Sequence, residues 1–148
     1  MSGICSRHLF WSELACHDAV MTPYPLDWRA DRGVTLGQAF EDVRVECCAV
    51  LGMDAPLLVL SGYRTPEYQA VLAQNPRLKA APKSQHCEGR AVDLALPRGL
   101  TFDEFADCAK RATAREHDPI RYIELRPSMA YIHIDVRPTK KLIVETVA

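Results

Sequence analysis

The stretch Arg90-Ala91-Val92-Asp93-Leu94-Ala95-Leu96 decides the fold. Val92, Leu94 and Leu96 fall on one side of an extended chain, while Ala91, Asp93 and Ala95 fall on the other. That is the period-two pattern of a strand with one face on a core. Tyr131-Ile132-His133-Ile134-Asp135-Val136-Arg137 repeats it, with Ile132, Ile134 and Val136 on one side and Tyr131, His133, Asp135 and Arg137 on the other. If the two strands are neighbours, Asp93, His133 and Asp135 share one surface. Residues 120–125 and 142–147 are predicted as further strands. Residues 57–60, an apolar run between Pro56 and Ser61-Gly62, are predicted as a short strand buried on both faces.

Helices are predicted around these strands at residues 9–15, 36–51, from Pro66 to about 73, and 102–115. In the second, Leu36, Phe40, Val43, Cys47 and Val50 recur at helical spacing, Thr35 and Gln38 form a capping-box pattern, and Gly52 is a natural stop. Thr65-Pro66-Glu67 reads as an N-cap, a proline in the first turn and an acid near the helix dipole. Thr101 and Glu104 make a second capping box, with Leu100 and Phe105 as its hydrophobic staple. Residues 18–33 and 75–90 read as loops. Helices come early and strands late, without regular βαβ alternation, so the predicted class is α+β. The expected architecture is a single domain over residues 1–148, a mainly antiparallel sheet with helices packed on one side.

Composition bounds the function. The chain has 148 residues, 48% of them hydrophobic and 25% charged, with a net charge of −1. A chain of this size can build its own core. The absence of a basic excess argues against nucleic acid as a partner. No apolar run reaches the ~18–20 residues of a membrane-spanning helix, and residues 1–8 do not read as a signal peptide. The cysteines are Cys5, Cys16, Cys47, Cys48, Cys87 and Cys108, with no Cys-x-x-Cys among them. They are expected to be reduced, mostly buried thiols. A structural zinc site using Cys5, Cys16 and His17 is the alternative.

His86 precedes Asp93 by seven residues, in the loop that leads into the first of the two strands. Such a loop can fold the imidazole back over the strand's open face. Two imidazole nitrogens and one carboxylate oxygen form a ligand set expected for catalytic zinc, with the fourth position left to water. On spacing alone, a pair such as His86 and Asp93 is more often unrelated polar residues on a surface.

Three segments add a resemblance. Ser61-Gly62-Tyr63-Arg64, the run from Ser84 through His86 and Gly89 to Asp93, and Ile132-His133-Ile134-Asp135-Val136-Arg137 occur in that order. They resemble the SGYR, SxHxxGxAxD and HxD motifs of zinc D-Ala-D-Ala carboxypeptidases and related peptidoglycan endopeptidases, metallopeptidase family fifteen. The likeness is to short forms from bacteriophages and prophages. Residues 10–18 also resemble the opening of such domains, so the likeness covers nearly the whole chain. It implies a hedgehog/D-Ala-D-Ala-peptidase-like fold, a Zn2+ cofactor, and peptidoglycan stem peptides as substrate.

The resemblance implies His86, Asp93 and His133 as zinc ligands. It implies Arg64 as a contact to the substrate's carboxylate or carbonyl, a task its planar fork suits; a structural salt bridge is the other reading. Gly89 is expected to serve a turn that needs positive φ, and Ala91 to leave space beside the metal. Ser84 either orients His86 or caps its loop, and Tyr63 either lines the cleft or packs. Many relatives place the general base, a Glu, three residues before the last His, where this chain has Ala130. Asp135 is the expected substitute, because the short phage-type relatives carry Asp there. Asp135 could instead orient His133 or Arg64, and Glu124 on the preceding strand is the other candidate base.

The expected function is hydrolysis of a stem-peptide bond next to a D-residue, as a D-Ala-D-Ala carboxypeptidase or an endolysin-type endopeptidase. With no visible signal peptide, the expected route is from the host cytoplasm to the wall through a holin, or delivery with a virion or phage tail. Two competing readings are a zinc-binding structural or wall-binding component that does not hydrolyse, and a cytoplasmic peptidase of free D-Ala-D-Ala.

Overall fold

A computed structural model describes residues 3–148. The chain opens with a small antiparallel hairpin, β1 (Ile4–Ser6) and β2 (Leu9–Phe10). A 3-10 turn, Trp11–Leu14, follows directly. The single helix expected over 9–15 therefore divides into strand and turn. Its backbone groups are drawn elsewhere: Trp11 N–H donates to Gly3 O at 3.1 Å, and Leu14 O accepts from Tyr63 N–H at 2.9 Å.

The expected loop at 18–33 is partly helical. A 3-10 turn, Leu26–Trp28, and a π turn, Arg29–Gly33, run without a break into α1 (Val34–Leu51). Thr35 is consequently not a cap. Its hydroxyl donates to Asp31 O at 3.0 Å, one turn back in a chain that is already helical. Gly52 ends α1 as expected, at φ 70° with its N–H on Cys48 O at 2.9 Å.

The remaining elements are β3 (Val59–Ser61), α2 (Pro66–Ala73), β4 (Ala91–Ala95), α3 (Phe102–Ala112), β5 (Tyr122–Arg126), β6 (Tyr131–Asp135) and β7 (Ile143–Thr146). Thr65 caps α2 by accepting from Tyr68 N–H. Both halves of the capping box at Thr101 and Glu104 form on α3. The main sheet has the order β3-β4-β6-β5-β7. Every pairing in it is antiparallel except β5 with β7, which is parallel.

One face of the sheet carries Val92, Leu94, Ile123, Leu125, Ile132 and Ile134, all buried. Leu36, Phe40, Val43 and Cys47 of α1 and Phe105, Cys108, Ala109 and Ala112 of α3 complete the same core. Each large apolar side chain buried there is worth about 1.5–3 kcal/mol. The short strand at 57–60 buries one face only. Leu57 and Val59 face the core, while Leu58 is 63% and Leu60 39% exposed, because no layer covers the outer side of this edge strand. Among the described residues, no helix is long and apolar enough to cross a membrane.

The register decides what the other face can do. Ser61 pairs with Asp93, Asp93 with His133, His133 with Glu124, and Glu124 with Glu145. One row of polar and ionisable side chains therefore crosses the sheet on the face away from α1 and α3, the face that α2 borders.

Candidate metal centre and active site

The central row meets the loop before β4 at a cluster of three potential ligands, His86, Asp93 and His133. His86 Nε2 stands 3.1 Å from Asp93 Oδ1. His133 Nδ1 stands 3.1 Å from the same oxygen and 3.2 Å from His86 Nε2. His86 is 2% exposed and Asp93 5%.

The outer hydrogen bonds fix which atoms face inward. His86 Nδ1 lies 2.7 Å from Gly62 O, which can only accept, so Nδ1 carries the proton and Nε2 a lone pair. His133 Nε2 lies 2.8 Å from Asp135 Oδ2, which leaves the Nδ1 lone pair inward. With both rings neutral, three lone-pair-bearing atoms thus converge in a buried site. Atoms tetrahedrally arranged about 2.0–2.1 Å from a zinc ion would stand roughly 3.3 Å from one another. The observed triangle fits that ion, and its donor set is the one zinc takes in catalytic sites.

A tight turn delivers His86. Gly89 N–H donates to His86 O at 3.3 Å and Arg90 N–H to Gln85 O at 3.0 Å. Gly89 has φ 68°, and a Cβ there would come within 2.6 Å of the Trp28 ring and 2.9 Å of the Tyr24 hydroxyl. Tyr24 OH donates to Gly89 O at 2.6 Å, so the N-terminal segment supports the turn from behind.

The electrostatics follow from burial and pairing. Burial holds the His86 pKa below the usual histidine value, against the pull of Asp93. Burial would raise Asp93, but His86 and His133 outweigh it and hold that carboxyl well below the usual range. For His133, burial opposes the charge, yet hydrogen bonds to Asp135 and Asp93 push its pKa up to about 9. Without a cation in the triangle, that proton is what relieves the repulsion.

Asp135 is fully buried, and both its oxygens are engaged. Oδ2 accepts from His133 and from Arg137 Nη2 at 2.7 Å, and Oδ1 from Arg137 Nε at 2.8 Å and Arg137 N–H at 3.2 Å. It lies behind His133 and does not line the cleft. Both of its oxygens are thus taken up by His133 and Arg137. Glu124, by contrast, does line the cleft. Its Oε1 accepts from Arg126 Nε at 2.6 Å, and its Oε2 has one longer contact, 3.2 Å from Tyr122 OH.

Arg64 holds the far side of Asp93. Its Nη2 donates to Asp93 Oδ2 at 3.0 Å, Nε to Ser61 Oγ at 2.9 Å and Nη1 to Gln69 Oε1 at 3.0 Å. The salt-bridge reading of Arg64 is thus present in the structure, and the residue also lines the cleft. Ser84 Oγ accepts from His86 N–H at 3.1 Å, capping the loop without touching the imidazole. Tyr63 packs edge-on against Tyr24 and Trp28 and is not part of the cleft lining. All six cysteines are free thiols, and Cys5 Sγ donates to Gly33 O at 3.2 Å. Among the described residues, the Cys5–Cys16–His17 alternative forms no ligand cluster.

Sequence reasoning missed Gln69, Arg126, Tyr122 and Arg137, all of which line the cleft. For Tyr122 and Arg126 a signal existed, since they flank Glu124 at period two. Gln69 carried none, being one polar residue on a short helix.

The His86–Asp93–His133 triangle opens into a cleft of about 1040 Å³, also lined by residues 78–85 and by Tyr68, Tyr122 and Tyr131. No curated protein matches the chain. Residues 21–142 match the family described as peptidoglycan L,D-endopeptidase MepK, and the chain belongs to that family, within the peptidases of metallopeptidase family fifteen.

Proposed function

We propose that this chain is a zinc-dependent endopeptidase that cuts a stem-peptide bond adjoining a D-residue. The observation that carries the reading is the convergence of His86 Nε2, Asp93 Oδ1 and His133 Nδ1 at 3.1–3.2 Å on an open cleft. A zinc ion held there would supply Lewis acidity and make water acidic enough to lose a proton near neutral pH. Glu124 is the residue we assign to take that proton and deliver it to the leaving amine. It shares the row of His133, lines the cleft and keeps Oε2 lightly engaged. Asp135 keeps His133 in the tautomer that presents Nδ1. Arg64 orients Asp93, and its remaining N–H groups are available to a substrate carbonyl or carboxylate.

The test is metal analysis of the purified protein, with mass spectrometry of muropeptides released from sacculi by wild type and His133→Ala. Zinc-dependent release of peptides cut inside the cross-link is expected, abolished by chelator and by the substitution. Release of D-alanine alone would make it a carboxypeptidase. Protein that holds no zinc and releases nothing with added zinc would refute the reading. A second reading, a zinc-bearing wall-binding component, is favoured by Ala130 at the usual acid position; it predicts wall binding with no cleavage.

A further inference from the structure

One side of the cleft is a segment that no ladder holds. Residues 78–83 line the cleft and lie in neither helix nor strand. Among the described residues, no backbone–backbone hydrogen bond involves residues 79–83. Their carbonyls are held by two buried side chains. Gln69, 1% exposed, donates from Nε2 to Ala81 O at 2.6 Å. Arg126, 7% exposed, donates from Nη1 to Leu78 O at 3.0 Å and from Nη2 to Lys79 O at 3.2 Å.

Lys79, whose carbonyl is one of these attachments, has φ 50°, a left-handed conformation uncommon for residues other than glycine. Such backbone persists where its surroundings over-determine it. Each clamp also ends on the site itself. Gln69 Oε1 accepts from Arg64, the partner of Asp93, and Arg126 Nε donates to Glu124.

We propose that Gln69 and Arg126 are positioning residues that set the cleft's width by tying residues 78–83 to the metal site. The inference rests on the peptidase reading for its effect on substrate, though not for the clamp. Two substitutions cut the ties selectively. Gln69→Glu keeps an acceptor for Arg64 and loses the donor to Ala81. Arg126→Lys keeps a cation beside Glu124, but a single ammonium cannot span Glu124 and both carbonyls.

The experiment compares wild type and both variants by zinc content, by trypsin nicking after Lys79 and Lys83, and by kcat and KM on purified cross-linked muropeptide. With zinc content unchanged, each variant is expected to nick at these lysines about five- to tenfold faster and to raise KM by a similar factor. The effect is expected mainly on KM, because Arg126→Lys keeps a cation beside Glu124 and Gln69→Glu keeps an acceptor for Arg64. Wild-type nicking rates in both variants, or a fall in kcat at constant KM, would overturn the proposal. If wild type cleaves nothing, the proposed function fails while the nicking rates still decide the clamp.

Discussion

At the scale of single residues, two carboxylates one strand apart have different work. Asp135 is buried and saturated by His133 and Arg137, whereas Glu124 reaches the cleft with one oxygen lightly held. Glu124→Gln should therefore lower kcat by about 10²–10⁴-fold while zinc stays bound. Asp135→Asn should instead weaken zinc binding by about 10–100-fold, with activity recovering as zinc is added. Zinc titrations and turnover on the same samples check both, and the opposite pattern would return the base to Asp135. Asp93 and His133 were legible as candidates because strand alternation places them opposite a core, and His86 because it stands in the loop before β4 within a motif that resembles the family's. Which oxygen is free and which nitrogen faces inward was not legible, since hydrogen-bond partners such as Gly62 O arrive from distant segments.

At the scale of elements, turns and seams hold these residues in place. Gly89 adopts φ 68° with the Trp28 and Tyr24 rings against its open side. Gly89→Ala should destabilise the protein by more than about 1 kcal/mol. It should weaken zinc binding as well, measurable by urea unfolding and metal titration; unchanged values in both would remove the turn from the account.

A second seam joins α1 to the turn before β5 through buried Asp42 and Asp118. Asp118 Oδ1 accepts from Ile120 N–H at 2.8 Å, while among the described residues nothing donates to its buried Oδ2. Around Asp42, Gln38 donates at 2.8 Å and Arg115 Nε stands at 3.6 Å; Arg121 lies near Asp118. Burial first, then the neighbouring Asp42, pushes the Asp118 pKa up to about 8. An unfolded aspartate titrates near 3.9. Between those values the folded chain keeps a proton that the unfolded chain has lost. The stabilisation is therefore complete below about pH 4 and declines as pH rises towards 8. Melting temperatures measured from pH 5 to 9 should fall more steeply for wild type than for Asp118→Asn, whose amide does not titrate. Parallel curves would refute the raised Asp118 pKa.

At the scale of the whole molecule, the α+β class, the strands that carry the ligands, and the caps of α2 and α3 were legible, because each rests on near-neighbour periodicity or a local hydrogen bond. The short helix expected at 9–15 and the Thr35 cap were not. Gly3 and Tyr63 draw the backbone of the first, and a helix already formed from Arg29 removes the need for the second. The net charge of −1 gives no strong electrostatic attraction to an anionic polymer. By itself the sequence determined the fold class and which side chains stand opposite the core, since both follow from periodicities of two and 3.6 along the chain. Only the tertiary structure decided which of them meet. The register of β4, β6 and β5 puts Asp93, His133 and Glu124 in one row, and the distant Gly62, Gln69 and Arg126 supply the hydrogen bonds that orient the site and hold its wall. Register and cross-chain hydrogen bonds depend on how layers pack, and no local pattern encodes that.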